Sequence, residues 1–174
     1  LTLGGRWTRD DKRGDFMQQI YNPFGSLVRA PENATGMTRD DSRFTWFANA
    51  NWYVGEDTLL FATASTGYKS GGFNSEGAST ALNLDQRIFD PEDTENFELG
   101  IKSTLLDGKM TANATLYRTD IIDFQDRAFD GLSFIVLNAG EVRQQGLEMD
   151  VNWLPIEPLR VTAGLAYLDS EYLS

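Results

Sequence analysis

The 174-residue chain carries 26 Asp and Glu residues against 15 Lys and Arg residues, and its formal net charge at pH 7 is −11. Such a surface repels a phosphate backbone, which argues against nucleic-acid binding. The sequence has no Cys and no His, so disulfides and thiolate chemistry are excluded, and the commonest metal ligand and general base is missing. We therefore expect no enzyme, no catalytic residue, no cofactor and no bound metal.

Seven segments alternate apolar and polar side chains with the period of two that is typical of β-strands. No segment of comparable length repeats at the helical period of 3.6, so the pattern predicts an all-β chain. In the third segment the adjoining Leu59, Leu60 and Phe61 leave the two faces unassigned. In chain order the segments are Leu1–Arg9, Ser42–Val54, Thr58–Lys69, Asn96–Leu105, Lys109–Ile122, a sixth that ends at Trp153, and Leu159–Leu168.

The links between these segments alternate between long and short. Asp-Gly between two alternating runs is a strong signal for a two-residue hairpin. In an up-and-down outer-membrane barrel the periplasmic links are short and the extracellular links are long. The alternation therefore predicts an antiparallel up-and-down transmembrane β-barrel segment. The long links are Asp10–Asp41, Ser70–Asp93 and Asp126–Ser133, and the short ones are Gly55–Asp57, Asp107–Gly108 and Pro155–Pro158.

The membrane prediction does not need a hydrophobic helix. The sequence has no run of about 18 apolar residues, but barrel strands span with only about 9–11 residues each. Trp52, Tyr53 and Trp153 lie beside short links, where amphipathic rings can sit among lipid headgroups. No signal peptide begins the chain and Leu1 already lies in a strand pattern, so we expect a piece of a longer protein.

Four stretches between Ala62 and Asp150 form a recognisable succession. ATASTGYKSGGFN (Ala62–Asn74) is a strand that leads into a Gly-rich loop, and FDPEDTENFELGIKSTLLDGKM (Phe89–Met110) is a loop–strand–turn unit. NATLYRTDIIDFQ (Asn113–Gln125) and NAGEVRQQGLEMD (Asn138–Asp150) are later strands. In this order and spacing, the chain from Ser42 onward resembles the barrel of the TonB-dependent receptors, and GYKSGGFN resembles their siderophore-receptor branch.

The resemblance implies that residues 1–174 are part of a barrel of about 22 strands in the bacterial cell outer membrane, with the plug domain and the C-terminal strands absent. It also implies active import of a ferric siderophore or a similar scarce metal chelate, energised by TonB. The implied partners are outer-membrane lipid and lipopolysaccharide, the plug domain, TonB through the missing N-terminal part, and an iron–siderophore ligand.

The two sides of each strand must meet different surroundings in such a wall. A lipid-facing side must be apolar, because a basic residue at mid-bilayer costs roughly 2–4 kcal/mol. Gly100 and Gly146 either relieve crowding or allow bending in the wall, or are small residues that are simply tolerated. The residues expected to point inward are Glu98, Lys102, Glu148 and Asp150, and those expected to face lipid are Leu99, Ile101, Leu147 and Met149.

Cationic and aromatic side chains in the long links are candidates for contact with an anionic, aromatic iron chelate, through bidentate guanidinium contacts and ring stacking. Surface loops also hold such residues without a ligand. The acidic clusters at 92–95 and 120–130 are expected to be solvated or to bridge to lipopolysaccharide through divalent ions. The ligand-contact candidates are Arg29, Arg39, Arg87, Tyr68 and Phe73, with Arg43, Tyr21 and Phe24 in or beside the same links.

Two other functions are compatible with the same pattern. A passive outer-membrane porin has the same kind of wall without a plug or energy input. A soluble all-β carbohydrate-binding or hydrolytic domain would press its apolar rows together into one dry core. The full-length sequence would separate the first alternative from a transporter, and the position of the apolar rows would separate the second.

Overall fold

The computed structural model describes residues 1–28, 32–74, 87–129 and 134–173. No helix in these ranges is long and apolar enough to cross a membrane. In chain order the strands are β1 (Thr2–Gln18), β2 (Glu32–Tyr53), β3 (Thr58–Lys69), β4 (Gly72–Phe73), β5 (Ile88–Phe89), β6 (Glu92–Leu105), β7 (Met110–Ile122), β8 (Gln125–Phe129), β9 (Phe134–Asn138), β10 (Val142–Ile156) and β11 (Leu159–Tyr172).

Seven strands form one antiparallel sheet in the order β1-β2-β3-β6-β7-β10-β11. Each long strand therefore pairs with the next long strand along the chain, and the predicted all-β, up-and-down topology is confirmed. The other four strands form two ribbons, β4–β5 and β8–β9, which lie within the second and third long links. Within the described residues β1 and β11 are the two edges of the sheet and do not pair with each other, so the sheet is open.

The first two strands are much longer than the hydrophobic pattern predicts. β1 continues to Gln18 instead of ending at Arg9, and β2 begins at Glu32 instead of Ser42. Most of the predicted 10–41 link is therefore an extended hairpin, with a β-bulge between Gly14 and Phe16. Its residues are mostly polar, and a strand without an apolar side has no hydrophobic alternation to reveal it.

The short links lie where they were predicted, but each differs in length, and the first contains the four residues 54–57 rather than three. Leu105 pairs with Met110, so the link at Asp107–Gly108 contains four residues rather than two, and residues 106–108 all have positive φ. β10 continues through Pro155 to Ile156, which leaves a two-residue link before β11. Long and short links still alternate along the whole chain.

The cross-strand register sorts the side chains of this sheet into two faces. It also assigns the faces of β3, which the sequence leaves open. The predicted inward and lipid-facing sets each share a face, as expected. One row of the apolar face contains Ala50, Ala62, Leu99, Leu116, Leu147 and Tyr167, and the adjacent row of the other face contains Asn49, Thr63, Glu98, Tyr117 and Gly146.

The apolar face is not packed against a second layer. Leu99 is 60% exposed and Leu116 is 56% exposed, and the buried hydrophobic residues of the described ranges are Ala34, Met37 and Val142. An apolar face of this extent is far larger than the patches that soluble monomers expose. The soluble-domain alternative is therefore wrong, because it requires a dry core between two sheets.

The upper edge of the apolar face crosses the strands diagonally. On β11 the last apolar residue of the outer face is Tyr167, and the next residue on that face is Asp169. The cross-strand register places Tyr167 in the same row as Ala50 of β2, which lies beside Leu1 of β1. On β1 the apolar face instead continues to Trp7, six residues further along. The upper edge of the apolar face therefore shifts by six residues over the six steps from β11 to β1, or about one residue per strand. With a rise of ~3.4 Å and a strand spacing of ~4.8 Å, this drift corresponds to a strand tilt of about 35°, which is typical of membrane barrels.

Gly100 and Gly146, on the inner face, are required by crowding. A Cβ at Gly146 would collide with the carbonyl oxygen of Tyr167 on β11 and would lie 2.7 Å from the hydroxyl of Tyr117 on β7. A Cβ at Gly100 would collide with the ring of Phe61. The structure therefore supports the crowding interpretation over simple tolerance of small residues.

We predict that Gly146→Ala destabilises the full-length protein by roughly 1–3 kcal/mol, because the added methyl group overpacks a site with backbone on one side. Gly164→Ala is the matched control, since its Cβ would lie 3.8 Å from the nearest atom, the Met149 carbonyl oxygen, and meet no clash. Equilibrium urea unfolding in lipid vesicles measures both. Equal stabilities of the two variants would contradict the crowding interpretation.

Candidate ligand-facing rim and inner face

The β4–β5 ribbon leans over the inner face of the extended hairpin. Lys12 of β1 lies on the same side as Gly4 in an unbroken register, and its ammonium donates to the Gly71 carbonyl at 2.6 Å. The ring of Phe73 lies against Gly14, and the Arg87 guanidinium lies 4.6 Å from the centre of the Phe16 ring. The second long link is thus anchored across the interior side of the wall.

Three amide side chains join the two ribbons to each other and to the sheet. Asn74 accepts from the Val136 amide at 2.7 Å and donates to the Val136 carbonyl at 2.9 Å, which imitates a backbone β-bridge. Asn138 accepts from the Asp90 amide at 2.8 Å and donates to the Asp90 carbonyl at 3.0 Å. Gln125 also donates to the Asp90 carbonyl, at 2.9 Å. We call Asn74, Gln125 and Asn138 the amide clasp.

The clasp satisfies backbone groups that would otherwise be unpaired where the two links meet. Asn74 is 7% exposed and Gln125 is 9% exposed, so their polar atoms are largely removed from water. A buried donor or acceptor left without a partner costs about 1–3 kcal/mol. The clasp residues were not predicted from the sequence, although Asn138 lies in the NAGE motif that the resemblance singles out.

The structure brings four of the five predicted ligand-contact residues to the base of the ribbons. Arg39 donates to Asp41 at 2.6 Å and to Asp90 at 3.0 Å. Arg87 is only 2% exposed and donates to the Asn74 carbonyl at 3.3 Å. Their guanidinium groups therefore hold parts of the protein together in this conformation.

Tyr68 and Phe73 occupy the same region. The Tyr68 hydroxyl donates to Asp10 at 3.2 Å, and the Phe73 ring packs on Gly14. Arg29 lies outside the described residues. Of the further residues, Arg43 donates to both carboxylate oxygens of Asp93, and Tyr21 and Phe24 are exposed, with Phe24 92% exposed.

Three carboxylates of the acidic clusters at the long-link end are paired with other groups of the protein. Glu92 accepts from the Gln125 amide at 2.8 Å, and Asp93 is held by Arg43. Asp120, which lies beyond the apolar part of β7, accepts from Arg118 at 2.7 Å and from Arg143 at 2.6 Å. The hydrogen bond from Arg118, aided by that from Arg143, lowers the pKa of Asp120. The expectation of solvated carboxylates is thus wrong for Asp93 and Asp120, which arginines neutralise. It agrees with the exposure of Glu95, Asp123 and Asp126, and Asp130 lies outside the described residues.

The inner face of the central strands carries carboxylates of a different kind. Glu98 accepts from Asn96 at 3.0 Å and Asp150 accepts from Asn113 at 2.9 Å. Among the residues that the structure describes, neither these two nor Glu148 forms an ion pair. Lys102, on the same face, lies 5.4 Å from the centre of the Phe61 ring. These carboxylates give the inner face negative charge that is directed at the interior.

Comparison with known proteins identifies the family. The model of the TonB-dependent receptor-like β-barrel matches residues 1–173. The chain belongs to this family. Its members are transport receptors of the outer membrane, so the predicted location is confirmed and the sheet is a piece of outer-membrane receptor barrel.

Two curated relatives of this receptor family match over nearly the whole chain. A probable TonB-dependent siderophore receptor, PiuA, from Acinetobacter baumannii is 26% identical over 98% of the chain, and the match covers 22% of that protein. The ferrichrome outer membrane transporter/phage receptor of Escherichia coli is 27% identical over 99% of the chain, and the match covers 20% of it. The chain therefore spans about a fifth of the length of these relatives.

A solved receptor structure has the same fold. The ferric yersiniabactin uptake receptor FyuA from Yersinia pestis superimposes with a TM-score of 0.75 at 22% identity, over 98% of the chain and 24% of that receptor. The predicted resemblance to the TonB-dependent receptor barrel is thus confirmed both by sequence and by fold.

We predict that Asn74→Ala separates the two ribbons locally. It removes the acceptor of the Val136 amide, and the loss of about 1–1.5 kcal/mol corresponds to roughly tenfold faster hydrogen exchange at that amide. Asn22→Ala is the control, because among the described residues the Asn22 side-chain oxygen accepts from the amides of Phe24 and Ser26, within its own turn. Exchange at Val136 that is the same in both variants would show that the clasp does not couple the links.

Proposed function

We propose that this chain forms about a third of the wall of an outer-membrane active transporter that imports a ferric siderophore or a similar scarce metal chelate, energised by TonB. The observation that carries the proposal is the single open sheet with an apolar outer face, a polar inner face and long links gathered at one end. The family relationship supports it, since a probable siderophore receptor and a ferrichrome transporter match the chain along its length.

The shape of the sheet supports the proposal that residues 1–174 belong to a longer receptor. Two free edges expose unpaired backbone groups, which a closed barrel would satisfy with further strands. Seven strands are too few to enclose a channel of this kind, whereas about 22 enclose a lumen wide enough for a plug. The missing strands and the plug would come from the rest of the protein.

The inner-face carboxylates favour a plugged transporter over a porin. Glu98, Glu148 and Asp150 have no ion-pair partner among the described residues, and a basic surface of a plug domain would supply one. A water-filled pore would instead leave the same groups solvated, without an ion-pair partner. In the same way, the outer face is proposed to contact membrane lipid and lipopolysaccharide.

We predict that uptake through the full-length receptor requires TonB and the proton-motive force. The experiment supplies radioactive iron to iron-limited cells as the ferric complex of either a tris-catecholate or a tris-hydroxamate chelator. Deleting the receptor, deleting TonB or adding an uncoupler should each reduce uptake of the transported complex to background.

The porin alternative gives a different result in the same experiment. Passive entry would depend on the receptor but would continue without TonB and in the presence of the uncoupler. Cells that show this pattern would contradict the proposal of active transport. A receptor gene whose deletion changes the uptake of neither complex would contradict iron import by these chelate classes.

A further inference from the structure

The charge of the inner face changes sign between the two ends of the wall. On β6 and β10 the inner face carries carboxylates towards the long links, namely Glu98, Glu148 and Asp150. Nearer the short links the inner face of β6, β7 and β11 carries cations instead, namely Lys102, Lys109 and Arg160. On these strands the inner face is therefore acidic in one half and basic in the other.

The strand tilt gives the heights of the two sets of charges. With a shift of about one residue per strand, the upper edge of the apolar face passes close to Asn96 on β6, Arg118 on β7 and Gly146 on β10. At a rise of ~3.4 Å and a tilt of about 35°, the carboxylates lie roughly 6–11 Å below this edge and the cations roughly 17–25 Å below it. The acidic and the basic groups therefore occupy separate layers.

Lys109 and Arg160 lie on the interior side of the wall rather than on the lipid side. Trp153 of the apolar face pairs with Met110 on β7 and with Val161 on β11. Lys109 and Arg160 directly precede these two partners along the chain. Because successive side chains of a strand point to opposite faces, both cations are directed towards the interior.

The two cations line one small cavity at the short-link end. Its volume is ≈ 230 Å³, and Thr111 and Asn152 also line it. The Asn152 oxygen accepts from the Thr162 hydroxyl at 3.0 Å, and its NH₂ group has no acceptor among the described residues. Within the described part of the chain neither Lys109 nor Arg160 forms an ion pair. Two like charges at one cavity repel each other, and an anion between them would offset that repulsion.

We propose that this cavity, which we call the basic pocket, binds a carboxylate side chain of the plug domain near the periplasmic end of the plug. The inference rests on the proposed function, which places a plug inside the wall, and it adds the residues and the chemistry of one contact. Lys109, Arg160, Thr111 and the Asn152 amide all supply donors, and an ionised carboxylate is purely an acceptor.

The layered charges also give the plug a direction. The carboxylate layer matches basic side chains of the plug, and the basic pocket matches an acidic one. A plug with the opposite arrangement, or one displaced by the distance between the layers, would bring like charges together. The wall therefore favours one height and one orientation of the plug.

Size and position select this occupant over two other anions. The cavity is smaller than the ~300–1,000 Å³ of pockets that enclose drug-sized ligands, so a whole iron chelate does not fit. A lipid phosphate would require the cations on the outer face, where Trp153 lies. A small free anion has matching chemistry, and the experiment distinguishes it from a side chain of the plug.

The experiment places the photo-cross-linker p-benzoylphenylalanine at position 111 of the full-length receptor in outer membranes. Irradiation should link it to a plug segment of net negative charge, which mass spectrometry identifies. The matched control carries the same probe at Thr115, which pairs with Glu148 on the same face and lies about 14 Å away. That probe should be linked to a segment of net positive charge.

A pair of variants tests whether the cations hold this segment. Lys109→Gln combined with Arg160→Gln removes the charge-assisted contacts, so hydrogen exchange in the cross-linked segment should become about tenfold faster. Arg9→Gln combined with Arg13→Gln removes the same charge from the outer side of the β1–β2 hairpin and should change this exchange less than about twofold. Circular dichroism and the amount of receptor in the outer membrane verify that each variant folds.

Each outcome has a distinct meaning. A probe at position 111 that links to a segment of net positive charge, or to none while position 115 does link, would overturn the proposed occupant and leave the pocket to a small anion. Unchanged exchange in the Lys109 and Arg160 variant would overturn the role of the two cations. Probes that link to no interior segment from either position would overturn the plug together with the pocket. Both predicted links in a receptor that imports neither ferric complex would support the pocket and contradict the transport of these chelates alone.

Discussion

The absence of water in the hydrocarbon layer is the constraint on which this structure depends. Backbone N–H and C=O groups in lipid have no solvent partner, so every spanning strand must be paired with neighbours. The seven-stranded ladder pairs each inner strand with both neighbours over most of the apolar face, whereas the two edge strands are paired on one side only. The same constraint turns the apolar side chains outward, so the described chain buries almost no hydrophobic residues, in contrast to a soluble domain, whose stability comes from its core.

Beyond the apolar face the same strands continue into surroundings that contain water. There water is present on both sides, and ion pairs and amide contacts replace lipid as the surroundings of the side chains. Arg39 neutralises Asp41, which otherwise faces Asp10 directly across β1 and β2. The amide clasp then joins residues that are 35 to 62 positions apart in sequence, with Asn74 and Val136 the most distant pair. The rim is therefore a connected structure.

The strands that could be predicted from the sequence are those that cross the lipid, because lipid requires an apolar side chain at every second position. β3 begins and ends where predicted, at Thr58 and Lys69, and the inward and outward sets of β6 and β10 are confirmed, because one face of each is apolar. The extension of β1 to Gln18 was missed because polar strands in water show no hydrophobic period. The pairing of Arg39 with Asp90 was also missed, because it depends on how a long link folds back over the sheet, which spacing does not encode.

The central claim is that alternate residues of each strand face lipid and an aqueous interior. Single Cys substitutions from Met110 to Tyr117 of β7, in a chain without native Cys, can carry nitroxide labels in the full-length receptor in lipid vesicles. Oxygen collides preferentially with labels in lipid, and a water-soluble nickel chelate with labels in water. Oxygen accessibility should peak at 110, 112, 114 and 116, and nickel accessibility at 111, 113, 115 and 117. Accessibility that does not alternate, or that alternates with the opposite phase, would contradict the account.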